Sequence, residues 1–139
     1  MKTNLITLVA GLTALGMLVF LHRGEAPWTA LRIAGAVLGL ASAVLLVVSR
    51  IQLGASFAVK AKAHALVTSG IYSRIRHPIY VFSSLMMVGI ALYFDQLWFL
   101  LVVVLVLVPM QIYRARREEQ VLMDAFGEEY AHYKASSWF

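Results

Sequence analysis

The sequence predicts an all-α integral membrane protein built from four transmembrane helices, and three observations carry that prediction. Of 139 residues, 61% are hydrophobic, against roughly 45–50% in a soluble domain, and the mean hydropathy is +0.79. The apolar residues gather into four runs, 4–21, 28–49, 78–94 and 97–113. Each is near the roughly 20 residues a helix needs to cross about 30 Å of hydrocarbon. The basic residues keep to one side of this pattern: Lys2, then Arg50, Lys60, Lys62, Arg74 and Arg76, then Arg114, Arg116, Arg117 and Lys134, which is ten of the twelve Lys and Arg. Positive residues are retained in cytoplasmic loops. Both termini (the second as the tail 114–139) and the 50–77 connection are therefore expected in the cytosol, with residues 1–139 forming one multi-pass membrane domain.

Each element has a local reason. Run 4–21 exceeds the roughly 7–15 apolar residues of a signal peptide, and "HRGEAPW" after it offers no small-residue cleavage site, so it reads as a retained helix. Segment 50–63, "RIQLGASFAVKAKA", alternates apolar and basic residues loosely and reads as either an interfacial helix or an extended strip over the head groups. Pro78 suits the first position of the third helix, where its missing N–H costs nothing, and it drives His77 out of helical conformation. Asp95 and Gln96 suffice to connect the last two runs. Pro109, inside the fourth, should kink that helix and free a carbonyl. Residues 114–133 read as a helix leaving the membrane, with Val121, Leu122, Ala125 and Phe126 at helical spacing and Gly127 as its stop or bend.

Several function classes are set aside by composition. The net charge of +5 flanks apolar runs, where topology and anionic head groups account for it, so no nucleic-acid partner is expected. The absence of cysteine removes thiolate chemistry and Cys-based metal sites. His64 and His77 have no carboxylate at ligand spacing, and no metal is expected. No Ser-His-Asp arrangement or phosphate-binding glycine loop is present. No acid or base lies deep in any run, which argues against a small transporter or scaffold, the non-enzymatic alternative.

What is left is the polar stretch "HALVTSGIYSRIRHPIY" at 64–80. It places donors (His64, Arg74, Arg76, His77), aromatic faces (Tyr72, Tyr80) and a helix N-terminus at one membrane interface, and the tail adds Glu118 and Glu119. Such a mixture suits a ligand with a carboxylate, an ammonium and a flat aromatic ring. The plainer account treats the arginines and tyrosines as interface anchors and Arg114 with Glu118 as a surface helix pair worth about 0.3 kcal/mol. Met86, Met87, Tyr93 and Trp98 suit either a lipid slot between the last two helices or ordinary packing, of which packing is preferred.

The joint pattern goes further. "HALVTSGIYSRIRHPIY", followed after a two-helix hairpin by "RARREEQVLMDAFGEEYAHYK", resembles the isoprenylcysteine carboxyl methyltransferase family and its phospholipid-methylating relatives over residues 64–134. The resemblance implies a membrane enzyme using S-adenosylmethionine, with the cofactor between the loop before the third helix and the tail helix. It implies that His64, Leu66 and Val67 border the cofactor, with Tyr72, His77, Pro78, Tyr80, Glu118 and Glu119 completing that site. Arg114 matches the catalytic arginine associated with the lipophilic substrate, while Phe126, Gly127 and Tyr130 match as packing residues. The implied acceptor is a lipophilic small molecule or prenylated substrate from the bilayer, an isoprenylcysteine-like carboxylate first and a phospholipid head-group amine second. Four spans are lean for this family, and a homodimer would complete the walls. The residues after Tyr133, "KASSWF", lack the family's basic, proline-containing stretch, which leaves acceptor selectivity to be supplied elsewhere.

Overall fold

The computed structural model of the chain describes residue 16 and residues 27–60 and 66–138, with backbone alone for 54–60. The first apolar run therefore lies almost wholly outside the described residues, as does His64. The described chain is all-helical, without strands. Its elements are α1 (Ala30–Lys60), a 3₁₀ turn (Gly70–Ser73), α2 (Pro78–Tyr93), α3 (Leu97–Phe126, unbroken through a π-helical segment) and α4 (Glu128–Ser136).

Helix α1 begins where Thr29 caps it: the Arg32 amide donates to the Thr29 hydroxyl at 3.3 Å, the usual way to satisfy an orphan N–H of the first turn. Expected to end with its apolar run at 49, it continues to Lys60, about 46 Å at 1.5 Å per residue. Segment 50–63 is thus helical for most of its length. Arg50 ends the hydrophobicity and not the helix, because nothing from 50 to 60 is a proline and most of these residues are compatible with helix.

Two helices, over Ala30–Leu53 and Leu97–Phe126, are long and apolar enough to cross a bilayer, and only 22% and 6% of their most apolar stretches are buried within the chain. At 16 residues, or about 24 Å, α2 falls short of a full crossing by itself. Leu40, Val44, Leu97 and Leu105 are each more than 60% exposed. Exposed apolar surface of that extent marks an interaction surface, with lipid or with protein.

Where α2 meets α1, glycines bring the backbones together. A Cβ on Gly35 would lie 2.5 Å from the Tyr93 amide nitrogen, and one on Gly89 only 2.5 Å from that of Gly39. Gly35 and Gly39 form a G-x-x-x-G pair, the spacing that permits close helix approach. Tyr93, 2% exposed, closes the contact edge-on to Trp28 at 6.2 Å, while Trp98 is 65% exposed. Of these aromatics, Tyr93 thus packs in a helix pair and Trp98 sits on an outer surface. Gly35→Ala and Gly89→Ala should each cost about 1–3 kcal/mol by overpacking. Gly39→Ala, whose Cβ would sit 3.8 Å from its nearest neighbour, should cost far less, and thermal unfolding of the three variants in detergent checks this order.

The chain turns from α2 to α3 through Asp95 at φ 55°, a left-handed conformation that aspartate tolerates better than most residues. Within α3, the expected effect of Pro109 takes a specific form. The segment Val103–Leu107, which ends two residues before it, is π-helical. Proline cannot donate to the carbonyl four residues back and crowds it, and a π segment accommodates the misfit without ending the helix. Gly127, at φ 52° and ψ −121°, then stops α3 where the sequence placed a stop. The short α4 carries Glu128 and Glu129 in its first turn and Lys134 in its last, the arrangement that complements a helix dipole.

Candidate functional site

The functional side chains are set by one stripe of α3 and by the loop that enters α2. On α3, Met110, Tyr113 with Arg114, Arg117 with Glu118, Val121 with Leu122, and Ala125 with Phe126 follow one another at three- and four-residue steps. They form one wall of a groove of about 790 Å³, which Tyr80 of α2 closes. Residues at that spacing share a helix face. The groove is thus apolar at both ends and charged in the middle.

Glu118 is the acid of that middle. Burial first, and then the nearby Glu118 carboxylate, raise the Tyr80 phenol above its ordinary value, and His77 Nδ1 lies 3.7 Å from Glu118 Oε2. The His77 ring stacks on Tyr80, with centroids 5.8 Å apart and planes 23° off parallel. Pro78 makes this possible by holding His77 outside the helix, at φ −124° and ψ 57°, at the mouth of α2. The other ring nitrogen, Nε2, is buried and has no hydrogen-bond partner among the described residues. Its nearest acid, Glu119 Oε1, stands 3.5 Å away, within ion-pair range but too far for a good hydrogen bond.

Glu119 points to a different task. Its Oε1 accepts from Arg76 Nε at 2.9 Å and its Oε2 from Lys134 Nζ at 2.8 Å. Burial pulls the Glu119 carboxyl upward, but the hydrogen bonds and charges of Lys134 and Arg76 outweigh it and hold the group below its ordinary value of 4.5. The same arginine reaches Ser137 Oγ at 2.8 Å. Beside it the Tyr133 hydroxyl donates to the Tyr72 carbonyl at 2.5 Å, the Trp138 amide donates to the Arg74 carbonyl at 2.9 Å, and the Arg74 guanidinium lies 4.9 Å over the Trp138 ring. Together these contacts clasp α4 and the residues after it onto the loop before α2. Tyr130 is fully buried within the clasp. Burial first, and then the Glu119 charge, push its phenol up to about 12.

The loop itself is seated on α1. The Ile71 amide donates to Gln52 Oε1 at 3.1 Å and the Tyr72 hydroxyl to the Ser49 carbonyl at 3.4 Å. Gly70 makes the turn at φ 62°, a conformation costly for any side chain.

Of the residues singled out from sequence, Tyr80, Glu118 and Arg114 line the groove, and His77, held outside the helix by Pro78, contacts Tyr80 and Glu118 without lining it. Tyr72 is buried beneath the 3₁₀ turn, and Leu66 and Val67 lie in the irregular segment before it; none of the three lines the groove. Glu119 has both oxygens engaged in the clasp. Sequence reading did not find the roles of Arg76, Tyr133, Lys134 and Trp138, nor Arg117 as a wall of the groove. For Arg117 a signal existed: the helical spacing noted from Val121 to Phe126 extends backward without a break to Met110.

Two helices long and apolar enough to cross a bilayer, with a groove along one of them that is charged in its middle, define the described chain as a small all-helical protein with candidate membrane spans. The family model for phospholipid methyltransferase matches residues 29–129, and the chain belongs to that family, one of membrane methyltransferases that generally use S-adenosylmethionine. The match starts at α1, well before the stretch on which the resemblance was drawn, and ends just short of Tyr130. No curated protein and no solved structure matches the chain.

Proposed function

We propose that the chain is a multi-pass membrane enzyme that transfers a methyl group from S-adenosylmethionine to a lipophilic acceptor, a prenylcysteine-like carboxylate. Its termini and the 50–77 segment lie on the cytosolic side, by the charge distribution of the sequence. The observation that carries the reading is the continuous α3 stripe, on which an acid and two arginines sit between apolar ends.

The residues present fit the cofactor. Glu118, beside Tyr80 and His77, would accept hydrogen bonds from its ammonium or hydroxyl groups, and the buried His77 Nε2, which has no hydrogen bond among the described residues, is a polar atom that a ligand could satisfy. When bound, S-adenosylmethionine supplies a sulfonium-activated methyl for in-line displacement. The chain's own work is positioning and drying: Arg114 anchors the acceptor anion, and Met110, Leu122 and Phe126 exclude water from the groove. A carboxylate acceptor is already ionised and needs no general base.

A second reading, N-methylation of a phospholipid head group, is favoured by the name of the matching family and by Glu118, a carboxylate able to accept the proton an ammonium must lose. Its rate would rise with pH through the acceptor's pKa. Labelled cofactor supplied with a prenylcysteine analogue or with phosphatidylethanolamine separates the two. We expect label in the prenyl compound; label in the lipid amine alone replaces the first reading by the second. Failure of the purified protein to bind S-adenosylhomocysteine removes both.

A further inference from the structure

Arg117 has no role in the account so far, yet it stands on the groove stripe one turn beyond Arg114. Its guanidinium lies 5.8 Å from the ring centroid of Tyr113, four residues earlier, a contact that orders a long side chain at modest cost. The basic groups of the clasp are neutralised at short range, Arg76 and Lys134 by Glu119. In contrast, among the described residues neither Arg114 nor Arg117 forms an ion pair with a carboxylate. Glu118, the one acid of the groove, is turned toward Tyr80 and His77. The middle of the groove therefore carries two guanidinium groups and a single carboxylate engaged elsewhere, an excess of positive charge between apolar ends.

We propose that Arg117 is a specificity-determining residue: with Arg114 it forms a two-arginine seat for the anionic head of an amphiphilic acceptor, and it is the reason this groove takes acidic amphiphiles over neutral ones. The proposal rests on the methyltransferase reading and extends it. Two planar forks on adjacent turns present more donors than one arginine can, and such forks suit the oxygens of a carboxylate or a phosphate equally. The shared chemistry is an anion attached to a hydrocarbon chain. Tyr113 beside Arg117 and Met110 one turn nearer the apolar half of α3 offer the start of a path for that chain.

Titration calorimetry in an uncharged maltoside detergent tests this with laurate, dodecyl phosphate and dodecanol. The unaltered protein should bind both anions well and the alcohol poorly. Arg117→Gln should lose about tenfold or more in affinity for the anions, as expected for loss of a charge-assisted contact, and Arg117→Lys should recover part of it. Affinity for S-adenosylhomocysteine should stay at the unaltered level in both variants, and in turnover the effect should appear in KM with kcat largely retained. Anion affinity unchanged in Arg117→Gln overturns the proposal, as does a parallel loss of S-adenosylhomocysteine binding, which would assign Arg117 to the cofactor or to the fold. A laurate preference points to carboxylate acceptors and a phosphate preference to phospholipids, both within the proposal; equal binding of dodecanol overturns it. Loss of the methyltransferase reading is seen separately, as absence of S-adenosylhomocysteine binding in the unaltered protein.

Discussion

Glu118→Ala should reduce S-adenosylhomocysteine affinity by about 100-fold or more, the effect expected for truncating one partner of a desolvated, hydrogen-bonded charge contact. Among the described residues that line the groove, this carboxylate is the one negative charge, beside Tyr80 and with His77 Nδ1 at 3.7 Å. Without it, Arg114 and Arg117 remain, and a ligand bearing an ammonium group meets only positive charge. His77→Ala should act in the same direction, because it removes both the stacked ring beneath Tyr80 and the buried Nε2. Tyr80→Phe retains the ring and removes one hydrogen bond, so it should cost about 1 kcal/mol, near fivefold. Arg114→Ala is the contrasting variant, with near-normal S-adenosylhomocysteine binding and impaired use of the acceptor. Calorimetric titration of the four proteins checks the order. Equal affinity in Glu118→Ala, His77→Ala and Arg114→Ala would refute the assignment of roles within the groove.

The neighbouring acid should behave differently. Glu119→Ala should release α4 from the loop before α2, because Arg76 and Lys134 lose their shared anion together. Breaking a buried pair typically costs about 3–5 kcal/mol; here Lys134 is 45% exposed, so about 2–3 kcal/mol is expected after screening. Faster amide exchange across Glu128–Ser136 would report the release. Arg76→Ala should do the same, and the double variant should cost less than the sum of the two, since it no longer strands the largely buried guanidinium and leaves only the more exposed Lys134 without its anion. Unchanged exchange in either single variant would rule out the clasp.

The pH dependence of this contact follows from the same groups. Glu119 has a folded-state pKa below its ordinary 4.5. Its contribution is therefore fully present above that value and is lost as pH falls through the depressed one. Tyr130 runs the other way, since its phenol is pushed up to about 12. Its contribution is present below the ordinary 10 and is lost as pH rises toward 12. The clasp should hold across neutral pH and loosen at both extremes.

What the sequence by itself determined is what neighbouring residues decide among themselves. Pro78 opening a helix with His77 held outside it, Asp95 and Gln96 making the turn, and Gly127 ending α3 all follow from backbone sterics within a few residues. The family, too, was legible, because its polar residues are grouped in two short stretches. Helix ends without such punctuation were less so. The change from apolar to basic at Arg50 does not mark where α1 stops, since hydrogen bonding along a helix is indifferent to side-chain polarity.

Only the tertiary structure decided which residues share a surface. Glu118 and Glu119 are adjacent in sequence and about 100° apart around the helix. Which of them faces the groove, and which faces Arg76 and Lys134, depends on the rotation of α3 against α2. That rotation is fixed by packing between elements far apart in the chain. The backbone contact of Gly35 with the end of α2 and the closure of Tyr133 on the Tyr72 carbonyl are decided the same way. Such contacts gain their energy only when both partners are already in place, so neither stretch of sequence carries the information alone.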